Sequence, residues 1–137
     1  KKMSKSDPSD LSRINLTDEK DLIINKIKKA KTDSLPMPGS EEELKKRPEV
    51  QNLIGIFASL SQKSLDSVKS EFEGKEFSLF KHKLSELLVE KIDPIGKKIK
   101  DFMKNTDYID SILKDGSLKA NNLASKKMRE IKKLAGF

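Results

Sequence analysis

The 137-residue sequence contains no cysteine, so it can form neither disulfides nor cysteine-ligated metal sites, which suits a reducing compartment. No run approaches the roughly 20 apolar residues that a membrane span needs, and no secretory signal opens the chain. We therefore expect a cytoplasmic protein with no membrane partner. Histidine occurs once, as His82 between two lysines, which indicates a surface residue. No nucleophile–base pair, carboxylate pair or metal-ligand spacing stands out in the sequence.

Aromatic residues are also scarce, at 5% of the chain, while charged residues make up 37% and apolar residues 34%. This balance favours a helical protein with densely charged outer faces over a β-rich one. A net charge of +7 makes a polyanionic partner plausible, either nucleic acid or an acidic surface, although a well-solvated lysine-rich surface has the same composition. The length suits one domain, and because the chain begins at Lys1 rather than methionine we expect a piece of a longer polypeptide.

Apolar residues recur at helical spacing along most of the chain, and no pattern of period two is present. Residues 1–17 lack this periodicity and indicate a loop. Residues 18–47 predict a connecting helix over 18–30, followed by a linker rich in proline and glycine. Residues 48–137 predict a C-terminal domain that is an antiparallel helical bundle. The fold class is therefore all-α.

Within the predicted bundle, Pro48 suits the first position of a helix, and Gly74 suits a left-handed cap after a short helix that begins at Ser64. The longest helix should cover 77–104, with a kink or a break into two helices at Pro94. Gly116 should end a further short helix. A last helix over 117–134 should then bury a stripe of small and apolar residues, and the only tyrosine should also lie in the core. These residues are Ala120, Ala124, Met128, Ile131 and Tyr108.

Basic residues cluster in the last predicted helix, where they face a single acidic residue, Glu130. One interpretation is a solvated helix face whose positive charge is favourable near the C-terminal end of the helix. The other is a surface that contacts RNA phosphates without reading sequence. The candidate RNA-binding residues are Lys126, Lys127, Arg129, Lys132 and Lys133.

The most specific motif lies at the start of the chain, at Lys2-Met3-Ser4-Lys5-Ser6. Two ammonium groups on a short flexible loop suit a polyphosphate whose charge must be held while a phosphorus–oxygen bond breaks. Charges placed in this way accelerate a reaction because they bind the transition state more strongly than the ground state. Lys2 and Lys5 are therefore the candidate catalytic residues.

This pentapeptide, KMSKS, is the second signature of the class I aminoacyl-tRNA synthetases, and the chain resembles the tryptophanyl members of that family along most of its length. The loop supports the class alone, whereas the choice of tryptophan depends on several later segments taken together. The resembling segments are 1–9, Ile14, Leu16, Asp18, 26–30, 32–34, 47–53, 71–75, 93–95, Gly116, Lys119, Ala120 and Ala124.

The resemblance implies a catalytic domain of Rossmann type, absent from this chain, and a helical bundle that recognises the anticodon end of tRNA(Trp). It implies a homodimeric ligase that uses ATP and tryptophan, in which Lys2 and Lys5 stabilise pyrophosphate while Met3, Ser4 and Ser6 shape the loop around ATP. Mg²⁺ would arrive with ATP rather than on residues of this chain, which alone should be inactive. The alternatives are a tyrosyl-tRNA synthetase and a non-enzymatic helical module that binds RNA.

Overall fold

The computed structural model describes residues 8–137, and this part of the chain consists of helices and connecting loops without any strand. The all-α prediction is confirmed for these residues. The chain divides into two compact units, one ending at Lys97 and the other comprising Lys98–Phe137. After a 3₁₀ turn at Asp10–Ser12, the helices are α1 (Lys20–Lys29), α2 (Glu41–Lys45), α3 (Pro48–Ser61), α4 (Leu65–Phe72), α5 (Phe77–Lys104) and α6 (Thr106–Ala135).

Local sequence sets the ends of the helices in the first unit. The hydroxyls of Ser40 and Ser64 accept hydrogen bonds from backbone N–H groups in the first turns of α2 and α4, each at 3.2 Å, which satisfies donors that have no partner inside a helix. Pro48 occupies the first turn of α3, as predicted. Gly74, at φ +70°, follows the end of α4, which confirms the predicted left-handed position.

Three phenylalanine rings form the centre of the first unit. Phe57 of α3, Phe72 of α4 and Phe80 of α5 lie with ring centroids 5.0 to 5.8 Å apart, and two of the three pairs meet edge to face. This arrangement places the positive edge of one ring on the negative face of another. The remaining buried apolar residues surround the rings: Ile23, Ile27, Met37, Leu44, Val50, Leu53, Ile54, Ala58, Val68, Leu84 and Leu88.

The loop between α1 and α2 is held against this core. Met37 is buried, and it exchanges backbone hydrogen bonds with the turn before α5, donating to Lys75 O (2.9 Å) and accepting from Gly74 N (3.0 Å). At the start of α3, the guanidinium of Arg47 binds both carboxylate oxygens of Asp33 and the carbonyl oxygen of Pro36. Such a planar, two-point pair fixes the loop in direction as well as position.

Pro94 lies inside α5, which runs without interruption from Phe77 to Lys104, so the predicted division into two helices is wrong. Proline removes one backbone hydrogen bond and crowds the preceding turn, at a cost of about 3 kcal/mol. Residues on both sides of it are packed: Ile92 contacts the core, and Gly96 is buried. That packing offsets the local cost and keeps the helix continuous.

Gly116 also lies inside a helix, because α6 continues from Thr106 to Ala135. The prediction that Gly116 ends a short helix is therefore wrong. Glycine in a helix interior costs only about 1 kcal/mol relative to alanine, and Lys114, Leu118, Lys119 and Ala120 around it favour helix. The left-handed glycine that follows α6 is Gly136, at φ +81°.

The predicted burial in the last helix is wrong as well, because no residue of α6 is buried. Met128 and Ile131 are each 49% exposed, and Tyr108 is 48% exposed with its ring stacked on Phe102 at a centroid distance of 6.1 Å. Ala120 and Ala124 are exposed too. An apolar stripe indicates that a helix is amphipathic, but its apolar face is buried only where another element covers it.

Replacing Gly116 with alanine tests the continuous α6. Gly116→Ala should stabilise the helix by up to about 1 kcal/mol, since a Cβ at this position meets no atom within 4 Å. The matched control is Gly74→Ala, which should destabilise the protein by about 1 kcal/mol because alanine is strained at φ +70°. Thermal melts followed by circular dichroism at 222 nm measure both changes. Destabilisation by both substitutions would show that α6 ends at Gly116.

Candidate functional site

The predicted catalytic lysines, Lys2 and Lys5, lie outside the described residues, as do Met3, Ser4 and Ser6. Their roles stay predictions. The described chain begins three positions after Lys5, with a segment that connects the predicted loop to α1. This segment, residues 8–18, is called the connecting segment below.

The connecting segment is ordered by short-range hydrogen bonds. Ser9 caps the 3₁₀ turn by accepting a hydrogen bond from Leu11 N (3.4 Å), and Ser12 Oγ donates to the carbonyl oxygen of Ser9 (3.2 Å). Asn15 and Asp18 form a reciprocal turn: Asn15 N donates to Asp18 Oδ2 (2.9 Å), and Asp18 N donates to Asn15 O (3.1 Å). The segment therefore carries one carboxylate in its 3₁₀ turn, that of Asp10, and another in the reciprocal turn at its end, that of Asp18.

A single lysine of α1 joins those two carboxylates. Lys26 Nζ lies 2.6 Å from Asp10 Oδ2 and 2.6 Å from Asp18 Oδ2, and its side chain is only 2% exposed. Asn15 Nδ2 donates to both aspartates, at 3.1 Å to Asp10 and 3.2 Å to Asp18. Arg13 pairs with Asp10 at 3.0 Å, so two cations balance two carboxylates. We call these five residues the Lys26 network.

The Lys26 network keeps all three of its central groups charged. Hydrogen bonds from Lys26 and Asn15 lower the pKa of Asp10 below its usual value of 3.8. Burial alone would raise the pKa of Asp18, but the hydrogen bonds from Lys26 and Asn15 outweigh it and lower that pKa. Burial would likewise lower the pKa of Lys26, yet its bonds to the two carboxylates raise it above 10.5. The ion pairs therefore persist across the neutral pH range.

A second contact holds the connecting segment to α5. A Cβ on Gly96 would lie 2.7 Å from the carbonyl oxygen of Leu16, so only glycine allows the two backbones to approach this closely. Asp93, one turn before Gly96, pairs with Lys97 at 2.8 Å and with Lys20, the first residue of α1, at 3.7 Å. The connecting segment is thus held by α1 on one side and by α5 on the other.

The predicted RNA-binding residues all lie in the last three turns of α6, and all are exposed. Their spacing places Lys126, Arg129 and Lys133 on one face of the helix, at positions i, i+3 and i+7. Lys127 pairs with Glu130 at 2.8 Å, and Lys132, three residues after Arg129, lies at the edge of this face. The structure therefore presents three of the five predicted residues as one basic face, with Lys132 at its edge, and places Lys127 on another side of the helix.

The acidic residues of α6 are concentrated at its other end. Asp107, Asp110 and Asp115 lie in the first ten residues, and Glu130 is the only acidic residue after them. This order places negative charge near the positive end of the helix dipole and positive charge near the negative end, which stabilises the helix. It also makes the C-terminal half of α6, where Glu130 is the single acidic residue, attractive to an anion.

The family model of the class I tRNA synthetases (W and Y) matches residues 1–92, which is about two thirds of the chain. The chain belongs to this family. Curated tryptophan–tRNA ligases align with its whole length: the chain is 48% identical to the protein of Rhizobium meliloti, 49% to that of Agrobacterium fabrum and 44% to that of Rickettsia felis. It spans 39% of the first two and 41% of the third, so it corresponds to about two fifths of these relatives.

Family membership decides between the alternatives that the sequence left open. The matched model covers the KMSKS segment and the helices through α5 up to residue 92, which disfavours a helical module without enzymatic relatives. The family includes tryptophan and tyrosine enzymes, and the three relatives above are all named for tryptophan. A tyrosyl-tRNA synthetase is therefore disfavoured as the relative of this chain.

No group of three or more acidic or histidine side chains able to hold a metal ion occurs among residues 8–137. Asp10 and Asp18 come together, but Lys26 already neutralises them. The expectation that Mg²⁺ arrives with ATP stays a prediction. Within the same part of the synthetase chain, no helix combines the length and apolar character needed to cross a membrane.

The Lys26 network was not predicted from the sequence, although one signal for it was present. Ile23, Lys26 and Ile27 share one face of α1, and both isoleucines are apolar and buried. A lysine on a buried face must be paired, because burial of an isolated charge is very costly. The pattern could therefore have indicated a buried ion pair, but it could not have identified Asp10 as a partner sixteen residues away.

The pH dependence of stability tests the buried pair. Asp18→Asn should lower the free energy of unfolding by about 3 kcal/mol at neutral pH, since it leaves the Lys26 charge poorly compensated. The pKa of Asp18 is lowered in the folded protein. Its contribution is therefore complete above the unfolded pKa of about 3.9 and is lost as pH falls through the folded pKa. The difference between the wild type and the variant should shrink below about pH 4.

Urea titrations of both proteins between pH 2.5 and pH 7 measure this difference. The control is Asp115→Asn, which removes an exposed aspartate of α6 and should change stability little at any pH. A difference between wild type and Asp18→Asn that stayed constant across the whole range would contradict a charged, paired Asp18.

Proposed function

We propose that the chain is part of a tryptophan–tRNA ligase that activates tryptophan with ATP and transfers it to tRNA(Trp). The observation that carries this proposal is the 44–49% identity to curated tryptophan–tRNA ligases along the whole chain. The presence of KMSKS within the family match supports a role at the ATP site. The amino-acid pocket belongs to the remaining three fifths of such an enzyme.

In this proposal, residues 1–17 contribute the KMSKS loop, 18–47 connect it to the bundle, and 48–137 form the domain that binds the anticodon end of the tRNA. Lys2 and Lys5 hold the pyrophosphate as the α-phosphate is transferred, with Met3, Ser4 and Ser6 shaping the loop around ATP and Mg²⁺ arriving with the nucleotide. The complete enzyme works as a cytoplasmic homodimer. Together these assignments give the chain one wall of the active site and a tRNA-binding surface.

The catalytic role is tested in the full-length enzyme with Lys5→Ala. Adenylate formation should slow by about a hundredfold or more, because a charge aimed at the leaving pyrophosphate acts mainly in the transition state. The KM for tryptophan should change little. Tryptophan-dependent ATP–pyrophosphate exchange measures both quantities, and the matched control is Lys45→Ala, an exposed lysine of α2. Exchange by Lys5→Ala at the wild-type rate would remove the catalytic role.

The RNA-binding role is assigned to the basic face of α6, formed by Lys126, Arg129 and Lys133. Phosphate contacts make affinity fall as salt rises, with a slope in log–log form of about 0.7 to 0.9 per contact. Replacing these three residues by alanine should weaken tRNA binding and reduce the slope by about 2 to 3. Filter-binding titrations of the full-length enzyme from 50 to 300 mM salt measure both effects.

A second triple variant serves as the charge-matched control. Lys45, Lys63 and Lys83 are exposed lysines of the first unit, and their replacement by alanine removes the same net charge from a different surface. Its salt slope should stay close to that of the wild type. Equal losses in the two triple variants would mean that overall charge, rather than the basic face of α6, determines the affinity.

A further inference from the structure

Lys26 occupies an unusual position, since its ammonium group binds carboxylates toward both ends of the connecting segment, which follows the KMSKS sequence. Asp10 and Asp18 lie eight residues apart, and one buried ammonium group binds both at 2.6 Å. No other lysine side chain in residues 8–137 is as fully buried. The network is thus a clamp on the connecting segment, and Lys26 is its centre.

The chemistry of the clamp argues for a role beyond stability. A buried ion pair seldom stabilises a fold more than well-packed apolar residues of similar volume do, because desolvation offsets the attraction. Ile23 and Ile27, neighbours of Lys26 on the same face of α1, are buried and apolar. A methionine at position 26 would satisfy the packing, but it could not fix the position of Asp10. The charge of Lys26 therefore adds control over the position and the direction of the Asp10 carboxylate.

We propose that Lys26 is a positioning residue for the KMSKS lysines, which it controls by fixing, through Asp10 and Asp18, the point where the loop joins the fold. This inference rests on the proposed ligase function. Lys26 does not touch substrate in this scheme, and it acts only through the connecting segment. Its effect should therefore fall on the chemical step rather than on tryptophan binding.

The length of the tether gives the size of the effect. Asp10 follows Lys5 by five residues, whereas Leu16, which still packs against Gly96 of α5 when the clamp opens, follows it by eleven. Opening the clamp therefore about doubles the number of residues between Lys5 and its first anchor on this side. The effective concentration of a tethered group falls as roughly the −3/2 power of tether length, which gives a decrease of about threefold. A rate that depends on the lysines reaching pyrophosphate should fall at least as much.

The test compares Lys26→Met with Arg47→Met in the full-length enzyme. Arg47 also holds a loop through an ion pair, with Asp33, and its side chain is 11% exposed, but the loop it holds is the one between α1 and α2. Both variants are assayed by tryptophan-dependent ATP–pyrophosphate exchange at a temperature where circular dichroism shows them fully folded. Lys26→Met should lower kcat at least about threefold with the KM for tryptophan unchanged, and Arg47→Met should leave both unchanged.

A third variant separates positioning from simple destabilisation. In Lys26→Met combined with Asp10→Asn and Asp18→Asn, the unpaired carboxylates are gone, so stability should recover while kcat stays low. Recovery of kcat together with stability would overturn the proposal, as would a Lys26→Met enzyme with the wild-type kcat. A wild-type enzyme that shows no tryptophan-dependent exchange would overturn the proposed function and, with it, this inference.

Discussion

The buried ammonium group of Lys26 is the constraint on which the order of the connecting segment depends. It binds two carboxylates from the same short stretch of chain, and Asn15 ties those carboxylates to each other. Without a cation at this point, two negative charges would be held close together, one of them in a buried side chain. The segment that leads to KMSKS is therefore held by electrostatics on one side and by the close approach of Leu16 to Gly96 on the other.

The rest of the first unit supplies the rigid frame for this clamp. Its centre is the cluster of phenylalanine rings contributed by α3, α4 and α5, which Ile23 and Ile27 of α1 extend toward the connecting segment. Lys26 lies beside these two isoleucines, so the apolar core positions the turn of α1 that carries it, and the two carboxylates then hold its ammonium group. The second unit has a different character: α6 buries no residue and carries a basic face at its C-terminal end.

Sequence reasoning succeeded where a feature depends on neighbouring residues. The helix starts at Pro48 and Ser64, the left-handed Gly74 and the limits of α5 all follow from short-range hydrogen bonding and steric preference. It failed at Pro94 and Gly116, where a local penalty of a few kcal/mol is smaller than the gain from continuing the helix. It also failed for Ala120 and Ala124, because an amphipathic pattern does not say whether a partner covers it.

The helical class, the KMSKS motif and the family follow from residue types and from their order along the chain. The contacts of Lys26 with Asp10 and Asp18, and the close approach of Leu16 to Gly96 in α5, are set by the packed fold. Helical periodicity and capping act over three or four residues, whereas an ion pair between residues sixteen apart, or a contact between residues eighty apart, exists only after the chain has packed.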